Sequence, residues 1–458
     1  MSNFSCVLMG NESLLIQCAE KLIQGGDTIG AVITRSPEIR AWAKGLGIRA
    51  EQSDAGLSER LGDLTFDWLF SIANLSVIPQ AVLERASRGA INFHDGPLPR
   101  HAGLNAPVWA ILAGEKQHGV TWHMIEGGID EGDIVKQQLF EMTPNETALT
   151  LNTRCYEAAI DSFADLLSDL HGAGPQRQPQ DLSQRTYHAR LDRPTAAARL
   201  NFNQTAESLA ALVRALDHGT YWNPLTCPKV DVGGRVLLVA AAQAESGAGT
   251  AAPGQVLEAT PAGLVVGTAS VPLRLTGLRD VFSGPVCPST VARPGDRLTI
   301  LSAEEAKALS DAHAKIVGGE GPWRRYLQSP QSVELPSAST TATGASALRQ
   351  THLNAPAGLG GDTLLAAVGA WAARLSGKST LDLAYQTGHA PRAPGYLSTW
   401  VPLRLEAAAE QPFAAFAEQC AKALNEARKH PAFALDLVVR DPAIKGLAVP
   451  QIGLSQDV

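Results

Sequence analysis

Short apolar runs alternate with longer amphipathic stretches through the first third of the chain. Residues 4–10, 28–34, 66–73 and 89–93 are apolar runs of strand length, and 118–125 and 134–140 read as strands flanking a Gly-rich loop. Runs of that kind mark strands buried on both faces. Between them, 13–24, 37–46 and 105–112 carry helical spacing, and Gly25 and Gly26 end the first of these helices. Residues 147–170 form a long amphipathic helix. Strands alternating with helices predict an α/β fold on a mostly parallel, Rossmann-like sheet. Ligands of such sheets sit beyond the carboxyl ends of the strands, where residues 71–75 and the pair Asn92 and His94 fall.

After residue 172 the pattern changes. Residues 172–183 are polar and predict a linker, so a first domain spans 1–172. Leu200-Asn-Phe-Asn203 precedes a helix at 205–216, with Thr205 placed to cap it. Short strands broken by Gly and Pro follow at 236–240, 255–258, 263–266, 271–275 and 297–301. They predict a small β-barrel domain over 184–305. A third segment, 322–458, opens at Trp323-Arg-Arg-Tyr and runs through a Ser/Thr/Ala-rich linker to a helix at 363–375. A strand at 381–385, the string Gly395-Tyr-Leu-Ser-Thr-Trp-Val-Pro-Leu-Arg404 and a helix at 412–429 complete an α+β pattern.

The chemistry-bearing residues concentrate between 90 and 135. Asn92 and His94 are two apart at the polar end of an apolar run, and Asp130 follows 36 positions later (130 − 94) in a Gly-rich loop. Residues i and i+2 of a strand share a face, so Asn92 and His94 can address one carbonyl. An amide and an imidazole together stabilise an oxyanion, each worth about 10²–10³ in rate. A carboxylate beside them orients the imidazole and manages protons. Taken singly, His94 reads as a strand-end polar residue and Asp130 as a turn residue between Gly128 and Gly132. Asp133 is read as a turn residue.

Asn-x-His followed by Ile-Asp-x-Gly resembles the signature of the 10-formyltetrahydrofolate-dependent formyltransferases. The longer string His94-Asp-Gly-Pro-Leu-Pro-Arg-His-Ala-Gly-Leu-Asn105-Ala-Pro, with Gly119-Val-Thr-Trp-His123, is most similar to the branches that act in nonribosomal peptide synthetases and on sugar nucleotides. The resemblance implies catalytic roles for Asn92, His94 and Asp130. It implies 10-formyltetrahydrofolate as co-substrate, held between Ser71, Ile72, Ala73, Asn74 and Leu75 on one side and Gly127, Gly128 and Ile129 on the other. For Ile72 and Leu75, plain core packing is an equal reading. Residues 184–305 resemble the family's carboxyl-terminal, OB-like domain. Residues 322–458 resemble the second half of a synthetase condensation domain. The catalytic string His-His-x-x-x-Asp-Gly of that domain is absent from the chain, so this segment is expected to be non-catalytic. The sequence also stops within that pattern, at Ser455-Gln-Asp-Val458.

Composition narrows the partners. A formal charge of −7 over 458 residues, without a visible Lys/Arg cluster, argues against nucleic acid and against a transfer-RNA acceptor. Six scattered cysteines without a Cys-x-x-Cys pair fit a reducing compartment and give no metal framework. His118 and His123, five apart in a strand, face opposite sides, so no metal site is expected. No apolar run approaches the roughly 18 residues of a membrane span, and the start lacks a basic leader, so a cytoplasmic location is expected. Three functional readings remain. The first is formylation of an amino acid, free or carrier-tethered, at an α-amine or a hydroxyornithine-type side chain, beside adenylation and carrier domains. The second is formylation of an amino-sugar nucleotide, with Arg35 and Arg100 as candidates for its diphosphate. The third is a docking segment of a larger synthetase. Docking is the expected role of 322–458, and its deletion is expected to leave formylation of a small free acceptor nearly unchanged.

Overall fold

A computed structural model describes residues 3–246, 251–333, 359–408 and 410–456. The chain forms two compact units, Met1–Arg190 and Leu191–Val458. In the first, the strands are β1 (Ser5–Met9), β2 (Thr28–Ile33), β3 (Ala50–Glu51), β4 (Phe66–Ser71), β5 (Ala86–His94), β6 (Ala102–Gly103), β7 (Gln117–Met124), β8 (Ile134–Glu141) and β9 (Tyr187–His188). Seven form one sheet in the order β3-β2-β1-β4-β5-β7-β8. Pairing is parallel up to β5 and antiparallel from β5 to β7 and β8.

Alternation along each strand divides the core between the two faces of the sheet. Cys6, Leu8, Trp68 and Phe70 pack with helices Leu14–Gln24 and Ala148–His171 through Leu15, Leu22, Phe163 and Leu166. Val7, Met9 and Leu69 pack on the opposite face with Leu57, Leu61 and Val82. Their short helices, Leu57–Leu61 and Gln80–Leu83, are too brief for periodicity to reveal. Asn105 occupies the position before helix Ala106–Leu112, but its backbone is left-handed (φ 61°) and its side chain makes no capping bond. A capping side chain reaches the first turn from extended backbone, so Asn105 does not cap this helix.

The expected linker at 172–183 is also corrected. Gln178 exchanges two backbone hydrogen bonds with Ile134, and β9 pairs with β6. The first unit therefore continues to Arg190, because its polar backbone groups are satisfied on the sheet's own loops.

In the second unit, Thr205 caps helix Ala206–Ala215 as expected. Two four-stranded antiparallel sheets follow. One comprises Lys229–Val232, Arg235–Leu238, Arg279–Asp280 and Gly284–Pro285. The other comprises Ala241–Ala244, Leu273–Thr276, Gly263–Val266 and Val256–Thr260. Both contribute to one core with Phe202, Leu209, Leu237, Leu264 and Leu275. Residues 297–301 make a single bridge, Arg297 to Gln255, rather than a strand. Further on, helices Gly361–Ser376 and Phe413–Lys429 accompany a sheet ordered Val401–Glu406, Thr380–Thr387, Gly453–Gln456. The Ser/Thr/Ala-rich linker and the chain end at Val458 lie outside the described residues.

The boundary expected between 305 and 322 does not divide this unit. Buried Asp436 accepts hydrogen bonds from Lys229 Nζ (2.6 Å), Thr226 Oγ1 (2.8 Å), the Cys227 N–H (2.8 Å) and Arg440 Nε (3.0 Å). Arg440 in turn pairs with buried Glu320. Charges on the later segment thus neutralise a lysine buried in the β-sheet segment. No helix among the described residues is long and apolar enough to cross a membrane.

Candidate active site

β5 ends in Ile91-Asn-Phe-His94. Ile91 and Phe93 enter the core, which leaves Asn92 and His94 on the other face. Parallel pairing sets Asn92 beside Ser71 at the end of β4. Antiparallel pairing sets Asn92 opposite His123 and His94 opposite Thr121 on β7. Cross-strand partners share a face, and Asn92 Nδ2 lies 3.1 Å from His123 Nε2. His123 Nδ1–H donates to the Met124 carbonyl at 2.9 Å, and Nε2 stands between Asn92 and Asp130.

His94 is buried, with Nε2–H directed at the His101 carbonyl at 2.9 Å. Its Nδ1 faces Asp130 Oδ2 at 3.6 Å and Asp95 Oδ1 at 3.9 Å. Asp130 sits in left-handed backbone, φ 56°. Its Oδ2 accepts the Gly103 N–H at 2.8 Å, and its Oδ1 lies 3.4 Å from His123 Nε2. Burial works against the Asp130 charge, but the His123 contact, the His94 ring and the Gly103 N–H outweigh it and hold the carboxyl down to about 2. Asp130 is therefore a carboxylate at neutral pH. Asp95 moves the other way: loss of water and the Asp130 charge raise it above the usual carboxylate range, against the opposing pull of His94.

The structure thus brings Asn92, His94 and Asp130 together and adds His123, which sequence reasoning set aside. The lost signal was register: only the β5–β7 pairing reveals that His123 faces Asn92. His118, by contrast, directs Nε2 to the Asp95 carbonyl at 2.9 Å, and burial lowers it to about 3. Asp133 binds Arg177 at 2.9 Å, in keeping with its reading as a turn residue. Chemically the cluster offers an amide N–H, an imidazole N–H and a fixed anion around one point, which suits attack on a carbonyl. Among the described residues no group of three or more His, Cys, Asp or Glu side chains is arranged to hold a metal ion.

The loops proposed for folate separate by burial. Ser71 and Ile72 are buried, and Ile72 belongs to the core. Its side chain cannot wall a pocket, so core packing prevails there. Ala73 turns the chain at φ 48°, and Asn74 closes the loop on itself through Ser71 and Ser76. Leu75 is then left 77% exposed. On the second loop Gly127 adopts φ 70°, the Gly128 N–H binds Glu131, and Ile129 is 57% exposed. Leu75 and Ile129 are thus exposed aliphatic side chains on the loops that follow β4 and β7.

Residues 24–166 match the family model described as formyl transferase, and 194–281 match that of the formyl transferase C-terminal domain. The chain is 31% identical to the methionyl-tRNA formyltransferase of Burkholderia multivorans over 252 residues, 55% of this chain and 73% of the relative. It is 30% identical to that of Roseobacter denitrificans over 228 residues, 46% of this chain and 73% of the relative. Among solved structures, the N-formyltransferase from Helicobacter canadensis in complex with folinic acid and dTDP-3-aminofucose is 18% identical, with 60% of this chain and 99% of that chain covered and a TM-score of 0.48. HypX from Aquifex aeolicus is 19% identical, with 61% and 44% covered and a TM-score of 0.45. With both domain models matched and the Asn92, His94 and Asp130 cluster assembled on the parallel sheet, the chain belongs to the formyltransferase family, enzymes that transfer a formyl group from 10-formyltetrahydrofolate to an amine.

Proposed function

We propose that the chain formylates the amine of an amino acid, and that Asn92, His94 and Asp130 carry the reaction. The observation that supports this most is the convergence of the three side chains, with Asp130 3.6 Å from His94 and bridged by His123 to Asn92. Leu75, Ile129 and the backbone of both loops hold 10-formyltetrahydrofolate, which delivers the formyl carbon. As the neutral amine adds, the second Asn92 N–H and the His94 Nε2–H donate to the developing oxyanion, which is a stronger acceptor than the His101 carbonyl. Asp130 takes up the amine proton, and as the oxyanion collapses the bond from the formyl carbon to N10 breaks and the proton passes to N10, releasing tetrahydrofolate and the formylated amine. His123 orients Asn92 and Asp130.

Three considerations favour an amino-acid acceptor. Arg100 is neutralised by Glu115 at 2.9 Å, and Arg35 turns onto the Ser53 carbonyl, so neither candidate cation is presented to a diphosphate. The net charge of −7 opposes the transfer-RNA acceptor named for the similar sequences. The later segment resembles a condensation-type half domain in its sequence, and such a domain would belong with peptide synthesis on a carrier protein. In this reading 194–281 lies in an OB-like domain, and the later segment serves contact with adenylation and carrier domains.

The test incubates the full chain with 10-formyltetrahydrofolate and, in separate reactions, amino acids, hydroxyornithine, aminoacyl-carrier protein, methionyl-tRNA and an amino-sugar nucleotide. Tetrahydrofolate is followed by absorbance and product by mass. Turnover of amino-acid acceptors, lowered at least about 10²-fold in His94→Ala and Asn92→Ala, supports the proposal. Turnover of the sugar nucleotide or the transfer RNA alone refutes the acceptor, and full activity in both variants refutes the site.

A further inference from the structure

The segment 178–188, which spans the end of the expected linker and the start of the expected β-barrel domain, touches both loops that set the catalytic geometry. On one side it holds the Asp130 turn. Gln180 Nε2 donates to the carbonyls of Asp130 (2.8 Å) and Gly132 (2.7 Å), so one amide spans the turn with both of its hydrogens. Arg185 donates to the Ile129 carbonyl at 3.0 Å, and the Ile134–Gln178 backbone pair closes the turn below. On the other side it holds the loop that contacts His94. The His101 N–H donates to Thr186 Oγ1 (2.7 Å), the Ala102 N–H to the Thr186 carbonyl (2.9 Å) and the Leu104 N–H to the His188 carbonyl (3.0 Å).

These two loops are the ones that meet in the site. The His101 carbonyl is the acceptor for His94 Nε2, and the Gly103 N–H binds Asp130 Oδ2. Both turns are strained at non-glycine residues: Asp130 has φ 56° and His101 has φ 57°. Such backbone persists only where its surroundings over-determine it. The contact leaves no slack, because a Cβ on Gly103 would come within 2.1 Å of the His188 carbonyl.

We propose that residues 178–188 form a strap that fixes the separation of His94 and Asp130, and that Gln180 is the positioning residue that holds Asp130 in its turn. This rests on the site assigned to Asn92, His94 and Asp130. Gln180 acts as a donor alone, since its Oε1 finds no partner among the described residues. Its removal leaves Asp130 in place chemically but frees the turn to relax. A displacement on the scale of an ångström at a reacting group lowers the rate by about 10²-fold.

The experiment compares Gln180→Glu and Gln180→Met, two replacements of similar size without the donors, with Asp130→Asn and the double variant, in the full chain. Thermal melting first establishes that each variant is folded, and two replacements guard against the failure of one. The acceptor-independent readout is 15N–1H spectroscopy of protein labelled at its 11 histidines, with His94 assigned by its loss in His94→Asn. Turnover of 10-formyltetrahydrofolate with hydroxyornithine as probe acceptor, and hydrolysis to formate in its absence, give kcat and KM. The strap requires displaced His94 signals in a folded Gln180 variant and a fall of about 10²-fold in kcat with KM for the folate within about twofold. It also requires a double variant no slower than Asp130→Asn alone. Unmoved His94 signals overturn the proposal, and so does a loss confined to KM. Full activity in Asp130→Asn overturns the underlying site reading instead, and the strap with it.

Discussion

Replacing Asp436 with Ala removes a buried carboxylate that accepts hydrogen bonds from Thr226, Cys227, Lys229 and Arg440. Asp436 and Arg440 have no side-chain exposure, and Lys229 is 3% exposed. Loss of water alone would protonate the Asp436 carboxyl, but Lys229 and Arg440 overcome that and hold it far below the usual carboxylate range. Its removal strands the Lys229 ammonium, which keeps only the carbonyls of Ala197 and Cys227 and the Thr226 hydroxyl, and it orphans the Cys227 N–H. Breaking one side of a buried pair costs about 3–5 kcal/mol. For a unit of this size, ~4 kcal/mol lowers Tm by roughly 8–16 °C. The sign with pH follows from the depressed carboxyl: the stabilisation is present above the ordinary carboxylate range and is lost only as pH falls well below it, so the gap between wild type and variant narrows in acid. Calorimetry of the full chain at pH 7 and in the acid range measures both. The paired change Lys229→Met with Asp436→Leu removes both charges and recovers most of the loss, as apolar replacements of buried pairs do. A single variant that melts within about 2 °C of wild type at pH 7, against the 8–16 °C expected, would refute the claim that this cluster joins the later segment to the β-sheets. So would a paired variant no more stable than the single one. The same reasoning predicts that truncation before Asp436 destabilises the rest of the second unit.

Asp130 is held down to about 2 from an ordinary 3.8, which stabilises the fold by about 2 kcal/mol above pH 4 and by progressively less as pH falls toward 2. Asp130→Asn should therefore flatten the acid-unfolding curve between those pH values, followed by circular dichroism. Leu75→Ala and Ile129→Ala, at exposed positions, should raise KM for 10-formyltetrahydrofolate severalfold with kcat and Tm nearly unchanged. Ile72→Ala should do the reverse, with about 2–5 kcal/mol lost in urea unfolding and KM preserved in the folded fraction. Gly103→Ala forces a Cβ against the His188 carbonyl at φ 94°, so it should lower both Tm and kcat. A variant with wild-type kcat would show that the approach of β6 to β9 is immaterial to catalysis.

What the sequence made legible follows from how local the controlling physics is. β1, β2, β4 and β5 fall within a few residues of their apolar runs, because burial on both faces leaves an uninterrupted signal, whereas the two-residue β3, β6 and β9 have no such run. Asn92 and His94 were legible as a pair because strand alternation alone puts them on one face. Thr205 was legible as a cap for a similarly local reason. Three features were not. His123 enters the site through the register of β5 against β7, which is a relation between residues 31 apart. Residues 178–188 straddle the expected linker and the expected start of the next domain, because their contribution is made by backbone groups and by the side chains of Gln180, Arg185 and Thr186, whose partners composition does not reveal. The later segment looked detachable because Lys229 and Asp436 are 207 residues apart, and a lysine in a strand pattern reads as a solvent-facing residue until its partner is known. In each case the missed residue is polar, and its meaning lies wholly in its partner. For this chain, then, the chemistry could be named from a few adjacent residues, while the parts that hold that chemistry in place needed the tertiary structure.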